Sequence, residues 1–151
     1  MGIEKDIHQP TFRNARQKAM INVIYTYGWL IERIKNSLAK DDITHQQFNI
    51  LRILRGSAPK PLSTLQIRER MLDKMSDTSR IVDRLIVKEL VKKTVCNKDK
   101  RLVDVTITDK GLKLLKKLDA EHDVMDNILC SLSESESEQL SHLLDKLRQA
   151  E

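Results

Sequence analysis

The stretch Ser76-Asp-Thr-Ser-Arg-Ile-Val-Asp-Arg-Leu-Ile-Val-Lys88, followed by Val91-Lys-Lys-Thr-Val-Cys96, Asn97-Lys-Asp-Lys-Arg101 and Leu102-Val-Asp-Val-Thr-Ile107, decides the fold. At about 100° per residue, the first segment sets Thr78, Ile81, Val82 and Leu85 on one side and Ser76, Asp77, Arg80, Asp83 and Arg84 on the other. It therefore reads as a helix from Ser76 with a core face and a free polar face. The two following runs are β-branched, of strand length and separated by a polar tip, which predicts a hairpin. Val103, Val105 and Ile107 fall on one face and should pack inward, while Lys98, Lys100 and Arg101 cluster in water at the end.

Upstream, Ser63 with Gln66 makes a capping box that opens a short helix ending near Leu72, and Asp73-Lys74-Met75 supplies the turn. Downstream, Thr108-Asp109-Lys110-Gly111 opens another helix, with Asp109 in the first turn where its charge suits the dipole. Two helices joined by a turn, a cationic hairpin and a closing helix outline a winged helix-turn-helix. A helix carrying short polar and basic side chains at its N-terminal end fits the major groove of DNA, and a flanking cationic hairpin reaches phosphates. The cations Arg80, Arg84, Lys98, Lys100 and Arg101 are the candidate contacts.

Flanking this unit, Ile24, Tyr27, Ile31, Ile34 and Leu38 recur every three or four residues, as one long helix from Thr11 requires. Thr44 with Gln47 caps a second helix that ends near Gly56, because Pro59 and Pro61 cannot lie inside it. Beyond Leu112, Leu115, Leu118, His122, Met125, Leu129 and Leu132 form a seam of alternating threes and fours. Ser133 with Glu136 opens a last helix bearing Leu140, Leu143, Leu144 and Leu147. These stripes exceed what a small winged helix can cover. The simplest cover is a second copy, with Leu115, Leu118, His122, Met125, Leu140, Leu143 and Leu147 at the interface.

The expected architecture is mainly α with a small β-hairpin wing, as one integrated domain of 151 residues. Its parts are an N-terminal dimerisation helix (1–43), a DNA-binding lobe (44–111) and C-terminal dimerisation helices (112–151). With 40% hydrophobic but only 3% aromatic residues, the core should be aliphatic helix packing. The net charge of +5 is unevenly spread: residues 1–61 carry 10 Lys/Arg against 5 Asp/Glu, 62–111 carry 12 against 8, and 112–151 carry 5 against 9. A polyanion should dock away from the acidic C-terminal helices.

No apolar run approaches the roughly 20 residues that span a bilayer, and the N-terminus lacks a signal-peptide core, so a cytoplasmic location and no membrane partner are expected. Two cysteines make no disulfide framework; Cys96 and Cys130 read as structural filler, Cys130 as a small core residue, with redox activity of Cys96 left open. His8, His45, His122 and His142 lack the compact spacing of a zinc site, so neither metal nor cofactor is expected. With 4 glycines, no phosphate loop and no recognisable nucleophile context, the chain does not read as an enzyme.

Taken in order, Thr44-His-Gln-Gln-Phe-Asn-Ile-Leu51, Ser79-Arg-Ile-Val-Asp-Arg-Leu85, Asp99-Lys-Arg101 with Val105-Thr-Ile-Thr-Asp-Lys-Gly111, and Leu132-Ser-Glu-Ser-Glu136 resemble the MarR family of bacterial transcription regulators over nearly the whole chain. The resemblance implies a homodimer joined by its N- and C-terminal helices, with two lobes binding a pseudo-palindromic operator, usually as a repressor. It also implies that Ser76, Asp77, Thr78, Ser79 and Arg80 are DNA contacts at the groove end, that Arg84 serves the DNA backbone, that Asp99 holds Arg101 as support for the wing, and that Arg101 enters or flanks the minor groove. Phenolic or lipophilic effectors bound by relatives direct attention to Tyr25, Trp29 and His45 as a possible ligand pocket. Glu89 stands where many relatives have Gly, and a left-handed residue there would cost about 1 kcal/mol. The turn at Asp73 also lacks the usual Gly. The rival reading is a winged helix that binds an acidic protein partner instead of an operator.

Overall fold

The structure is a computed structural model that describes residues 2–95, 103–120 and 128–149. Its elements in chain order are α1 (Ile3–Asp6), α2 (Ala15–Leu38), a single 3₁₀ turn (Ala39–Asp41), α3 (His45–Ser57), β1 (Leu62–Ser63), α4 (Thr64–Arg70), α5 (Thr78–Val87), β2 (Val91–Val95), β3 (Val103–Ile107), α6 (Asp109–Ala120) and α7 (Glu134–Arg148). This is the mainly helical winged helix-turn-helix that the sequence predicts. Among the described residues no helix is long and apolar enough to cross a membrane.

Helix starts follow local chemistry. Asn14 accepts from the Gln17 N–H at 2.9 Å to cap α2, and the boxes Thr44/Gln47, Ser63/Gln66 and Ser133/Glu136 cap α3, α4 and α7. Each satisfies backbone donors that the first turn leaves without partners, a contribution of about 1 kcal/mol per cap.

Helix α3 is the hub. It packs against α2, α4, α5, α6 and β3, and it buries Phe48, Ile50, Leu51 and Leu54 among Leu38, Leu62, Ile67, Met71, Val82, Leu85, Val91 and Val105. The sheet is antiparallel in the order β1-β3-β2, with Leu62 opposite Val105 and Val91 opposite Ile107. Strand β1 is absent from the sequence reading, because two residues carry no periodicity of their own and pair only with a partner some forty positions away. Gly111 is required where α6 passes under the wing: a Cβ there would press on the Leu90 carbonyl oxygen and lie 2.7 Å from Ile107 Cγ1.

Two expectations are corrected. Leu115 and Leu118, assigned to the dimer seam, are 0% and 3% exposed inside the lobe core. They lie on the face of α6 turned toward α3, so their side chains have no area left for a partner, and the lobe extends past Gly111 through Leu118. Cys130 is exposed, not a core residue, because the apolar spacing around it names a face that the lobe does not cover, and its neighbour Leu129 is exposed as well. His122 and Met125 lie outside the described residues, as does Cys96.

The outer helices differ from the lobe. On α2, Met20, Val23, Ile24, Tyr25, Tyr27 and Trp29 are exposed, and on α7 so are Leu140, Leu143 and Leu147. No residue of α7 is buried.

Candidate nucleic-acid interface

Helix α5 begins two residues later than expected, at Thr78, with Asp77 as its N-cap: Asp77 Oδ1 accepts from the Arg80 N–H at 3.2 Å. Ser76 lies in the preceding turn, where its N–H donates to the Asp73 carbonyl at 3.3 Å. The helix is strongly two-faced. Thr78, Val82 and Leu85 are buried, whereas Ser79, Arg80, Asp83 and Arg84 are exposed. Thr78, named among the DNA contacts, is a correction: at 4% exposure its side chain belongs to the core side, as its place on the helical wheel required.

The turn works without glycine because side chains replace what a left-handed residue would do. Asp73 Oδ1 accepts from the Met75 N–H at 3.0 Å, closing a local turn, and Asn49 on α3 accepts from the Leu72 N–H at 2.9 Å. The angle between α4 and α5 is thus pinned from outside the motif.

At the other end of α5 the missing glycine does leave a trace. Glu89 has φ 61°; its N–H donates to the Ile86 carbonyl at 2.8 Å, and the Leu90 N–H to the Leu85 carbonyl at 3.0 Å. These are the two bonds of a Schellman motif, completed by apolar burial of Leu85 and Leu90. The Glu89 carboxylate meets Lys110 at 3.0 Å, and its carbonyl accepts from the Thr108 hydroxyl at 2.8 Å. Strain tolerated at this residue is offset in part by ties to the start of α6.

Cations around α5 are matched with carboxylates: Arg80 with Asp77 at 3.2 Å, Lys93 with Asp83 at 2.5 Å, and Lys88 with Asp42 at 3.0 Å. Arg84 is exposed and has no carboxylate partner among the described residues. Strands β2 and β3 are present as expected and lead to the wing tip. Lys98, Asp99, Lys100 and Arg101 themselves lie outside the described residues.

A separate cavity of about 500 Å³ opens between α2 and the lobe, lined by Tyr27, Ile31, Ile34, His45, Gln46, Phe48, Asn49, Arg52, Met71, Leu72 and Asp73. His45, one of the three residues proposed for a ligand pocket, lines this cavity. Tyr25 and Trp29 do not, because the face of α2 that meets the lobe carries residues 27, 31 and 34; both are exposed, and Trp29 stacks under Arg33 at 4.2 Å. Burial holds the His45 imidazolium below its ordinary pKa, with Lys35 pushing the same way and Asp73 opposing. Among the described residues no group of three His, Cys, Asp or Glu is placed to hold a metal ion.

With this geometry in hand, similarity to known proteins is informative. A family model described as MarR family matches residues 43–103. The HTH-type transcriptional repressor MdtR of Bacillus subtilis (strain 168) is 34% identical over 115 residues, covering 76% of this chain and 73% of MdtR. The chain belongs to the MarR family. A MarR transcription factor structure from Planctomyces limnophilus superposes with a TM-score of 0.67 at 31% identity, covering 89% of this chain and 98% of that one. The S. aureus MepR–DNA complex matches with a TM-score of 0.72 at 22% identity, over 93% of this chain and all of that one, a likeness of fold.

Within this MarR-family frame, sequence reasoning found the polar face of α5 and the hairpin but missed the ion pair that joins them, Asp83–Lys93. Its signal was partial: Lys93 falls on the same strand face as Val91, but an ammonium that reaches water needs no carboxylate, and only the packing of β2 against α5 pairs it with Asp83. The α2 contribution to the cavity was missed because that helix is apolar on more than one side.

Proposed function

We propose that this MarR-family regulator is a homodimeric repressor that binds a pseudo-palindromic DNA operator and releases it when a small amphipathic effector occupies the cavity beside His45. The observation that carries the reading is the exposure of Ser79, Arg80 and Arg84 on one side of α5 while Thr78, Val82 and Leu85 are sunk on the other. That exposed side has chemistry to offer a major groove and none to offer the core. In this reading Ser79 and Arg80 meet base edges, Arg84 meets the backbone, and Lys98, Lys100 and Arg101 of the wing reach flanking phosphates, with Asp99 supporting Arg101. Ser76 and Asp77 shape the helix start more than they touch bases. The outer parts, α2 with α7, join two copies through Ile24, Leu140, Leu143 and Leu147, setting the recognition helices about 34 Å apart. The word repressor in the name of MdtR and the DNA in the MepR complex support the class.

The cavity suits an effector because its walls include the residues that hold the turn before α5. Asn49 and Asp73 both line it and both bond the turn's backbone. A ligand that competes for either group binds the loosened turn better than the tight one, which is the free-energy difference a release mechanism needs. Apolar Ile31, Ile34, Phe48 and Met71 face polar His45 and Arg52, matching a ring with one anionic or phenolic group.

The test is selection of duplexes from a random-sequence pool by the full-length protein. We expect an inverted repeat to be enriched, with affinity falling steeply between about 50 and 200 mM salt. Arg80→Ala and Arg84→Ala should each weaken binding by about 5- to 50-fold. Enrichment of no motif, with complexes indifferent to salt, overturns the reading.

A further inference from the structure

Asp83 stands on the very side of α5 that would meet a polyanion, where a bare carboxylate would be repelled. It is not bare: its Oδ1 accepts from Lys93 Nζ at 2.5 Å. Lys93 lies opposite Val105 in the ladder, and directly opposed residues share a face. Val105 is fully buried, so Lys93 is on the lobe side of the hairpin, and its side chain as a whole is 34% exposed. The sheet order makes β2 the outer strand; β3 is held on its far side by β1 at Val105 and Asp104. On the same face of β2, Val91 is buried at the base and Val95, the last residue described, is exposed. The Asp83–Lys93 contact is therefore the outermost polar tie between the helix and the outer strand among the described residues.

An exposed pair of this kind contributes little to stability. Its placement gives it a different use. Val95 is two residues beyond the tie, about 7 Å at the rise of a strand, so a 10° rotation at Lys93 moves it by about 1 Å. A hydrogen bond to phosphate tolerates only a few tenths of an ångström, so a displacement of that size matters for a surface facing a duplex.

We infer that Asp83 is a positioning residue: through Lys93 it fixes the angle between α5 and the outer strand of the wing, so that operator discrimination, more than stability, depends on the pair. This rests on the DNA-binding reading above. It assigns Asp83 a task on a face where its charge would otherwise weaken binding, and it separates Lys93 from the cations that touch DNA.

The experiment compares the full-length protein with Asp83→Asn, Lys93→Gln and the exchange Asp83→Lys with Lys93→Asp. Each is titrated with a duplex selected by the unaltered protein from a random pool and with a scrambled duplex of equal composition, and each is melted thermally. We expect either single change to cut the selected-to-scrambled affinity ratio by about tenfold, the exchange to recover most of it, and the melting midpoint to move by no more than a surface pair warrants. A ratio within about twofold of the unaltered protein in Asp83→Asn, or an exchange variant no better than the singles, overturns the inference while leaving DNA binding intact. Failure of the unaltered protein to enrich any sequence removes the reading beneath it, and the inference with it.

Discussion

The lobe from Ile43 to Leu118 and the outer helices treat the same aliphatic residues in opposite ways. In the lobe, Leu51, Leu54, Leu85 and Leu115 are closed off from water by α3 and its neighbours. On α7, Leu143 and Leu147 are each 62% exposed, and the N-terminal half of α2 shows a comparable row. Burying one leucine is worth about 1.5–3 kcal/mol. The lobe has collected that energy within one chain; the outer helices have not. A stripe of leucines thus has two meanings, core or interface, and only the three-dimensional phase of its helix distinguishes them.

The sharpest way to break the contrast is Leu115→Ala, which leaves a cavity in the lobe and should cost about 2–5 kcal/mol in denaturant unfolding. If Leu115 were an interface residue instead, the loss would depend on protein concentration. Next, Ile24→Glu with Leu143→Glu should leave the lobe's circular dichroism unchanged while raising the dimer dissociation constant by about 100-fold or more, read by sedimentation velocity. An unaltered sedimentation profile would mean that another surface joins the copies. Glu89→Gly tests a strained joint of the lobe. It relieves a left-handed side chain but gives up the exposed Lys110 pair, for a net gain of about 0.5–1 kcal/mol in unfolding free energy.

The smallest effect sits at the border of the two regions. Because His45 has a lower pKa folded than its ordinary 6.5, the unfolded chain takes up the proton first as pH falls. Stability should therefore rise with pH through the window below about 6.5, and His45→Asn should flatten that slope. A slope unchanged by the substitution would show that other groups set it.

What could be read from the chain followed the range of the interactions. Three capping boxes were visible because each is settled within four residues. The buried and exposed sides of α5 were visible because its period alone separates Val82 and Leu85 from Arg80 and Arg84. Strand β1 was hidden, since its pairing with β3 is remote. Leu115 and Leu118 were misassigned because spacing by threes and fours names a face without naming what covers it. The cavity wall was misplaced on α2 for a related reason: Tyr25 and Trp29 form one apolar row, Tyr27, Ile31 and Ile34 another, and nothing local says which one meets the lobe.

Strand β2 has one further consequence. As the free margin of a three-stranded sheet, it displays backbone donors and acceptors that a neighbouring molecule's strand could extend. It is only five residues long and carries Lys92 on the face opposite Lys93, whose charge Asp83 already balances. Like charges meeting across such a seam would discourage stacking of one molecule upon the next. A short charged margin of this kind works against self-association into fibres when the protein is concentrated.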